Sequence, residues 1–338
     1  MNNRNDAFSL EIVDPDFPEN NTPLVKALNI GDDLILFKTD GIYRLLTAET
    51  IDPESNHPKT SHTYEKIYPI GTESNYVSRI IIQFEEIIKF VKIKDKTTPE
   101  FIQIIWESNK LLLNSLNSIV KVYFSVSELS PKCDDIIQKF KGKPTIPPIP
   151  KVPELENHVR IFFNNAKLFL IEIFRLLHTF YGLPFNGRNA AHFSNHLIWL
   201  EKNLGSSHQI TELIQQDMEW IRLISESRNA LEHPEEGQKI EIFNIRLMPD
   251  NKFALPSWSY DLSKKLEKTQ GQTDLINDFD VLLHNMLHLY EDILLISSSE
   301  NFISEIVSLY KLKEQAISKK CPVQYKVILN PEFSNNEK

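Results

Sequence analysis

HQITELIQQDMEWIRLISESRNALEHP, residues 208–234, is the stretch on which the fold turns. Ile210, Leu213, Ile214, Ile221, Ile224 and Leu231 recur at the spacing of a helix with one buried face. Ser206 or Ser207 is the expected cap, and Pro234 forces the backbone out of helix at His233. Arg228 follows Ile224 by one turn and Ile221 by two, so it sits on the apolar stripe itself. A guanidinium keeps its charge in any protein setting, and burying it alone is very costly. Its position implies a buried carboxylate partner, an interface, or a pocket that receives an anion. His233, at the helix end and near water, can give or take a proton around neutrality.

Helical periodicity continues on both sides. VRIFFNNAKLFLIEIFRLLHTFYG belongs to the most apolar helix, 154–181, stopped by Gly182 and Pro184. NAAHFSNHLIWLEKNLG predicts a helix over 189–204, and DLINDFDVLLHNMLHLYEDILLI one over 274–297 started by Thr273-Asp274. Between them, KIEIFNIRL and FALPSWSY flank Pro249-Asp250-Asn251 and predict a hairpin. A last helix is expected over 301–317, followed by a short strand at VQYKVIL.

Upstream, KGKPTIPPIPKVPEL carries Pro144, Pro147, Pro148, Pro150 and Pro153, favours extended backbone and marks a boundary. Before it, Thr98-Pro99-Glu100 opens a helix over 99–128 that the Ser-Glu-Leu-Ser-Pro run should stop. Val77, Ile80, Ile81, Phe84, Ile87, Ile88 and Val91 give a further helix from about residue 73. In DDLILFKTDGIYRLLTAETI, Asp40-Gly41 turns one strand near 33–37 into another near 42–47. Residues 48–72 are turn-rich, and 1–25, with Pro15, Pro18 and Pro23, form a loosely held arm. The expectation is a mostly α protein. An N-terminal region, 1–140, carries a β hairpin and two long helices. A helical bundle with attached short hairpins spans 154–298, and 299–338 adds a helix and a short strand.

The 338 residues are 41% hydrophobic and 25% charged, enough apolar material for a core. A net charge of −9 gives no bulk attraction for nucleic acid, so any such contact must be local. Cys133 and Cys321 are far apart and outside any metal-ligand spacing, as in a reducing, cytoplasmic compartment. No basic-then-apolar leader opens the chain, and every long apolar run is broken by charge, so no membrane span is expected.

Arg228-Asn229-Ala230-Leu231-Glu232-His233, at the end of a bundle helix, resembles the Arg-x4–6-His signature of the HEPN superfamily (higher eukaryotes and prokaryotes nucleotide-binding). Asn is common after the Arg in that family, and the preceding MEWIRLISES and the neighbouring helix with Trp199 fit it too. The resemblance covers roughly residues 154–298. It implies a four-helix bundle that homodimerises so that two motifs face each other, and a metal-independent endoribonuclease with no cofactor, acting in stress, defence or toxin–antitoxin settings. By that likeness Arg228 would hold the scissile phosphate, His233 would transfer protons to or from the 2′-hydroxyl and leaving oxygen, and Asn229 would orient the phosphate or the imidazole. Products would carry a cyclic phosphate and a free 5′-hydroxyl. Glu226, Glu232, Glu235 and Glu236 around the motif point instead to a non-catalytic dimerisation or binding scaffold, with the N-terminal region holding a protein partner.

Weaker signals read more plainly. His192-x3-His196 and His284-x3-His288 have a zinc-compatible spacing but no third ligand, and fit core or surface histidines better. Gly187-Arg188-Asn189-Ala190-Ala191-His192 echoes the motif at a helix start, as coincidence or as extra basic lining near the site. There is no GxGxxG, no P-loop and no nucleophile elbow. Phe162, Phe163, Phe169, Phe174 and Phe180 read as core or dimer face, since no basic residues interleave with them.

Overall fold

A computed structural model describes residues 22–329 except 95, 144, 146, 188, 250 and 251. The polar arm up to residue 21, Arg188 and the Asp250-Asn251 turn therefore lie outside the described residues. In chain order the elements are β1 (Leu24–Ile30), β2 (Asp33–Lys38), β3 (Ile42–Leu46), β4 (Thr63–Tyr68), α1 (Thr98–Phe140), α2 (Leu155–Tyr181), α3 (Phe193–Asn203) and α4 (Gln209–Glu232). There follow β5 (Lys239–Phe243), β6 (Arg246–Leu247), β7 (Phe253–Ala254), β8 (Ser257–Leu262), β9 (Lys268–Asp274), α5 (Leu275–Glu300), β10 (Val307–Lys311) and β11 (Tyr325–Leu329). The molecule is mostly α, with several small sheets.

Two compact units divide the chain, Met1–Asn109 with Ser297–Lys338 and Lys110–Ile296. The proline-rich connector falls inside the second unit. There the Asn244 side chain closes a pair of 2.9 Å hydrogen bonds on the backbone of Val152, accepting from its N–H and donating to its carbonyl. The C-terminal stretch likewise joins the N-terminal one.

In the first unit, β1-β2-β3-β4 form an antiparallel sheet. The expected Asp-Gly turn joins β2 and β3, with Lys38 N–H donating to the Gly41 carbonyl at 3.0 Å. β1 and β4 were not foreseen, because their apolar alternation is weak and each is held by a neighbouring strand. Gly71 packs so closely on this turn that an added Cβ would lie 2.3 Å from Gly41 N, so no side chain fits. The helical segment at 75–90 includes a π turn, Ser78–Ile82. The Gln83 side chain within that segment accepts from the N–H groups of Gln324 and Tyr325 at 2.7 and 2.9 Å. The expected helix over 301–317 is absent: β10 pairs antiparallel with β11, Val307 opposite Leu329 through Lys311 opposite Tyr325. Its apolar spacing suits either period, and the pairing decides.

In the second unit, α1 does not stop before Pro131 but runs through it to Phe140. Pro131 and Ser127, whose carbonyl loses its helical donor, are both exposed, so water can take that carbonyl's bond. α2 supplies the centre of the core. Its Phe162, Phe163, Phe169 and Phe174 are fully buried, each contributing about 1.5–3 kcal/mol. Phe162 stacks on Phe279 of α5 with centroids 4.5 Å apart, Phe169 meets Tyr290 of α5 at 5.3 Å, and Phe174 meets Phe193 of α3 at 5.0 Å. α2 and α3 both pack on α4. Gly182, at φ +75°, ends α2 in the left-handed region, as the sequence indicated. α3 starts later than expected, and α4 is capped by His208 rather than a serine: its Nδ1 accepts from Ile210 N–H at 3.3 Å. β5, β8 and β9 form a sheet beside α4, and β6–β7 extend the expected hairpin.

Candidate functional site

The site is the seam between α2 and the C-terminal half of α4. Ile210, Ile214, Ile221, Ile224 and Leu231 of α4 are buried, as their spacing required. Arg228 stands at the edge of that stripe, half-buried. Its Nε donates to Asn164 Oδ1 of α2 at 3.1 Å. Among the described residues it makes no ion pair, so of the expected partners for this cation a buried carboxylate is not the one found.

Asn229, also half-buried, bridges two charges. Its Oδ1 accepts from Lys167 Nζ of α2 at 2.8 Å, and its Nδ2 donates to Glu226 Oε2 at 3.3 Å. An ammonium can only donate and a carboxylate only accept, so the amide orientation is fixed by its neighbours. Lys167 makes no ion pair among the described residues either. Burial pushes its pKa down, and the neighbouring Arg228 guanidinium pushes it further, against the opposing pull of Glu226.

His233 ends α4 with its backbone N–H on the Asn229 carbonyl at 2.8 Å and its side chain exposed. The same helix end is held from α2, where Arg160 Nη1 donates to the Leu231 carbonyl at 2.6 Å, satisfying a carbonyl that the helix leaves open. Three rungs thus cross the seam: Arg160 to Leu231, Asn164 to Arg228 and Lys167 to Asn229. The structure places all three expected site residues on one helix end. Arg228 and Asn229 are tied to one α2 face, and no contact from the His233 ring to them is formed among the described residues.

Sequence reasoning missed Arg160, Asn164 and Lys167. The signal was present, since these polar residues recur at four and three along an otherwise apolar helix, one stripe facing one neighbour. It was hidden because a polar stripe names no partner.

Adjacent to Glu226, a 170 Å³ cavity at the start of α3 is lined by His192, Ser194, Arg222, Ser225 and Glu226. His192 of the motif echo therefore lies beside this seam, while Arg188 is outside the described residues. His196 is buried between aromatic rings, 5.3 Å from Phe174 and 6.1 Å from Phe185, and burial lowers its pKa. His284 and His288 lie with ring centroids 6.0 Å apart, and among the described residues no group of three His, Cys, Asp or Glu could hold a metal ion. No helix among them is long and apolar enough to cross a membrane. Compared with known proteins, the chain matches no family model, no curated protein and no solved structure.

Proposed function

We propose that this chain is a HEPN-like, metal-independent endoribonuclease that works as a homodimer, with Arg228 and His233 at the scissile phosphodiester. One observation carries the reading: Arg228 is half-buried, its Nε is anchored by an amide oxygen, and among the described residues no carboxylate pairs with it. Among the described residues neither Nη group has a hydrogen-bond partner, which leaves both to meet a phosphate oxygen, and such charge-assisted bonds strengthen as negative charge builds in the transition state. The RNA 2′-oxygen attacks phosphorus, the bond to the 5′-oxygen breaks, and a 2′,3′-cyclic phosphate and a 5′-hydroxyl result. The proton leaves the 2′-hydroxyl and one arrives on the 5′-oxygen, and exposed His233 exchanges it with water between these sites. Asn229, already spanning Lys167 and Glu226, positions Lys167 rather than the substrate, which departs from the role the resemblance implies.

A second reading rests on Asn229, already bonded to Lys167 and Glu226, and on the glutamates at 226, 232, 235 and 236: a non-catalytic HEPN-like scaffold that dimerises or binds a protein partner. Incubation with single-stranded RNA in excess EDTA separates the two. The nuclease yields fragments ending in cyclic phosphate; intact RNA favours the scaffold.

A further inference from the structure

We propose that Lys167 and Arg228 form a two-pronged oxyanion site across the α2–α4 seam that takes a phosphate group, making Lys167 a phosphate-binding residue. That the phosphate belongs to RNA rests on the nuclease reading above. Lys167 reaches Asn229 Oδ1 at 2.8 Å and Arg228 reaches Asn164 Oδ1 at 3.1 Å, so each cation is aimed by a neutral amide of the opposite helix. Neither is paired with a carboxylate among the described residues. The one acid in the network, Glu226, spends a carboxylate oxygen on Asn229 Nδ2. Two positive groups and one negative leave a surplus positive charge in a seam that is partly shielded from water.

Like charges held together under partial desolvation repel, and the proton affinity of Lys167 is lowered first by burial and then by the Arg228 guanidinium, against the pull of Glu226. A structural ion pair would relieve that repulsion, and neither helix provides one. An incoming oxyanion would relieve it instead, accepting from Lys167 Nζ and from the guanidinium fork, both of which have donors to spare. A single bound phosphate could thus engage both helices.

The test measures binding of inorganic phosphate, and separately of a fully 2′-O-methylated single-stranded RNA that cannot be cleaved, at fixed ionic strength. Isothermal titration serves for the first and fluorescence anisotropy for the second. Lys167→Met and Arg228→Met are each expected to weaken both by about tenfold, the size of one charge-assisted hydrogen bond. Lys167→Arg, which keeps the charge, retains binding and covers the case in which the Met variant fails to fold. Lys202→Met, at an exposed position on α3, leaves binding unchanged. Absence of phosphate binding by the wild type, or binding indifferent to Lys167→Met, overturns the site. Phosphate binding that depends on Lys167, in a protein that leaves RNA intact in EDTA, upholds the anion site while removing the nuclease.

Discussion

At the residue scale the decisive fact is how Arg228 is held. An amide anchor fixes a guanidinium without neutralising it, whereas a carboxylate would do both. Asn164→Ala should therefore cost about 1 kcal/mol of stability, one half-buried hydrogen bond, and should also weaken RNA cleavage by freeing the guanidinium. Unfolding in urea beside a cleavage assay checks both; full activity in the variant would show that the anchor does not position Arg228. Lys167 yields a pH prediction. Its folded-state pKa lies below the usual 10.5, first through burial and then through Arg228. Between that lowered value and 10.5 the unfolded chain holds more protons than the folded one. The stability tied to this side chain is therefore present above 10.5 and is lost as pH falls through the folded value. In phosphate-free buffer, the wild type should gain stability relative to Lys167→Met as pH rises toward 10.5. A difference that stays flat contradicts the buried, cation-flanked setting of Lys167.

At the element scale, α2 and α4 make the site and α1 shows how exposure overrides a local rule. Pro131 removes one helical hydrogen bond on a face open to water, so α1 continues. Pro131→Ala should stabilise the helix, by as much as about 3 kcal/mol, seen as a raised urea midpoint in far-ultraviolet circular dichroism. An unchanged or lowered midpoint would mean that the proline already fits its surroundings. The long helices were legible because their apolar residues keep one period over many turns and end at Gly182, Pro184 and Pro234. The hairpin around Asp40-Gly41 was legible from its turn chemistry. β1, β4, β9 and β10 were not, because short strands with mixed patterns are fixed by their pairing partners, whereas β11 falls within the short strand expected at VQYKVIL. Arg228 could be placed on its stripe from spacing alone, but the amide on the opposite helix could not, since nothing in the α4 sequence specifies Asn164.

At the scale of the whole molecule, the two units are discontinuous in sequence, and the residues proposed to act on RNA all belong to Lys110–Ile296. With a net charge of −9, the chain can use positive charge only where packing concentrates it, as Lys167 and Arg228 do. The proposed assembly is a homodimer, and light scattering should give twice the mass of the 39.3 kDa chain; a monomer would leave each motif without a facing copy. The central claim is that His233 moves protons for a phosphodiester bound at Arg228. Its most direct measurement is the rate of single-stranded RNA cleavage in EDTA by the wild type and by His233→Ala, whose exposed side chain contributes little to the fold. The account predicts a loss of about 10²–10⁴-fold in the variant, the worth of a proton-transfer group. Equal rates in the two proteins, or no cleavage by either, would contradict it.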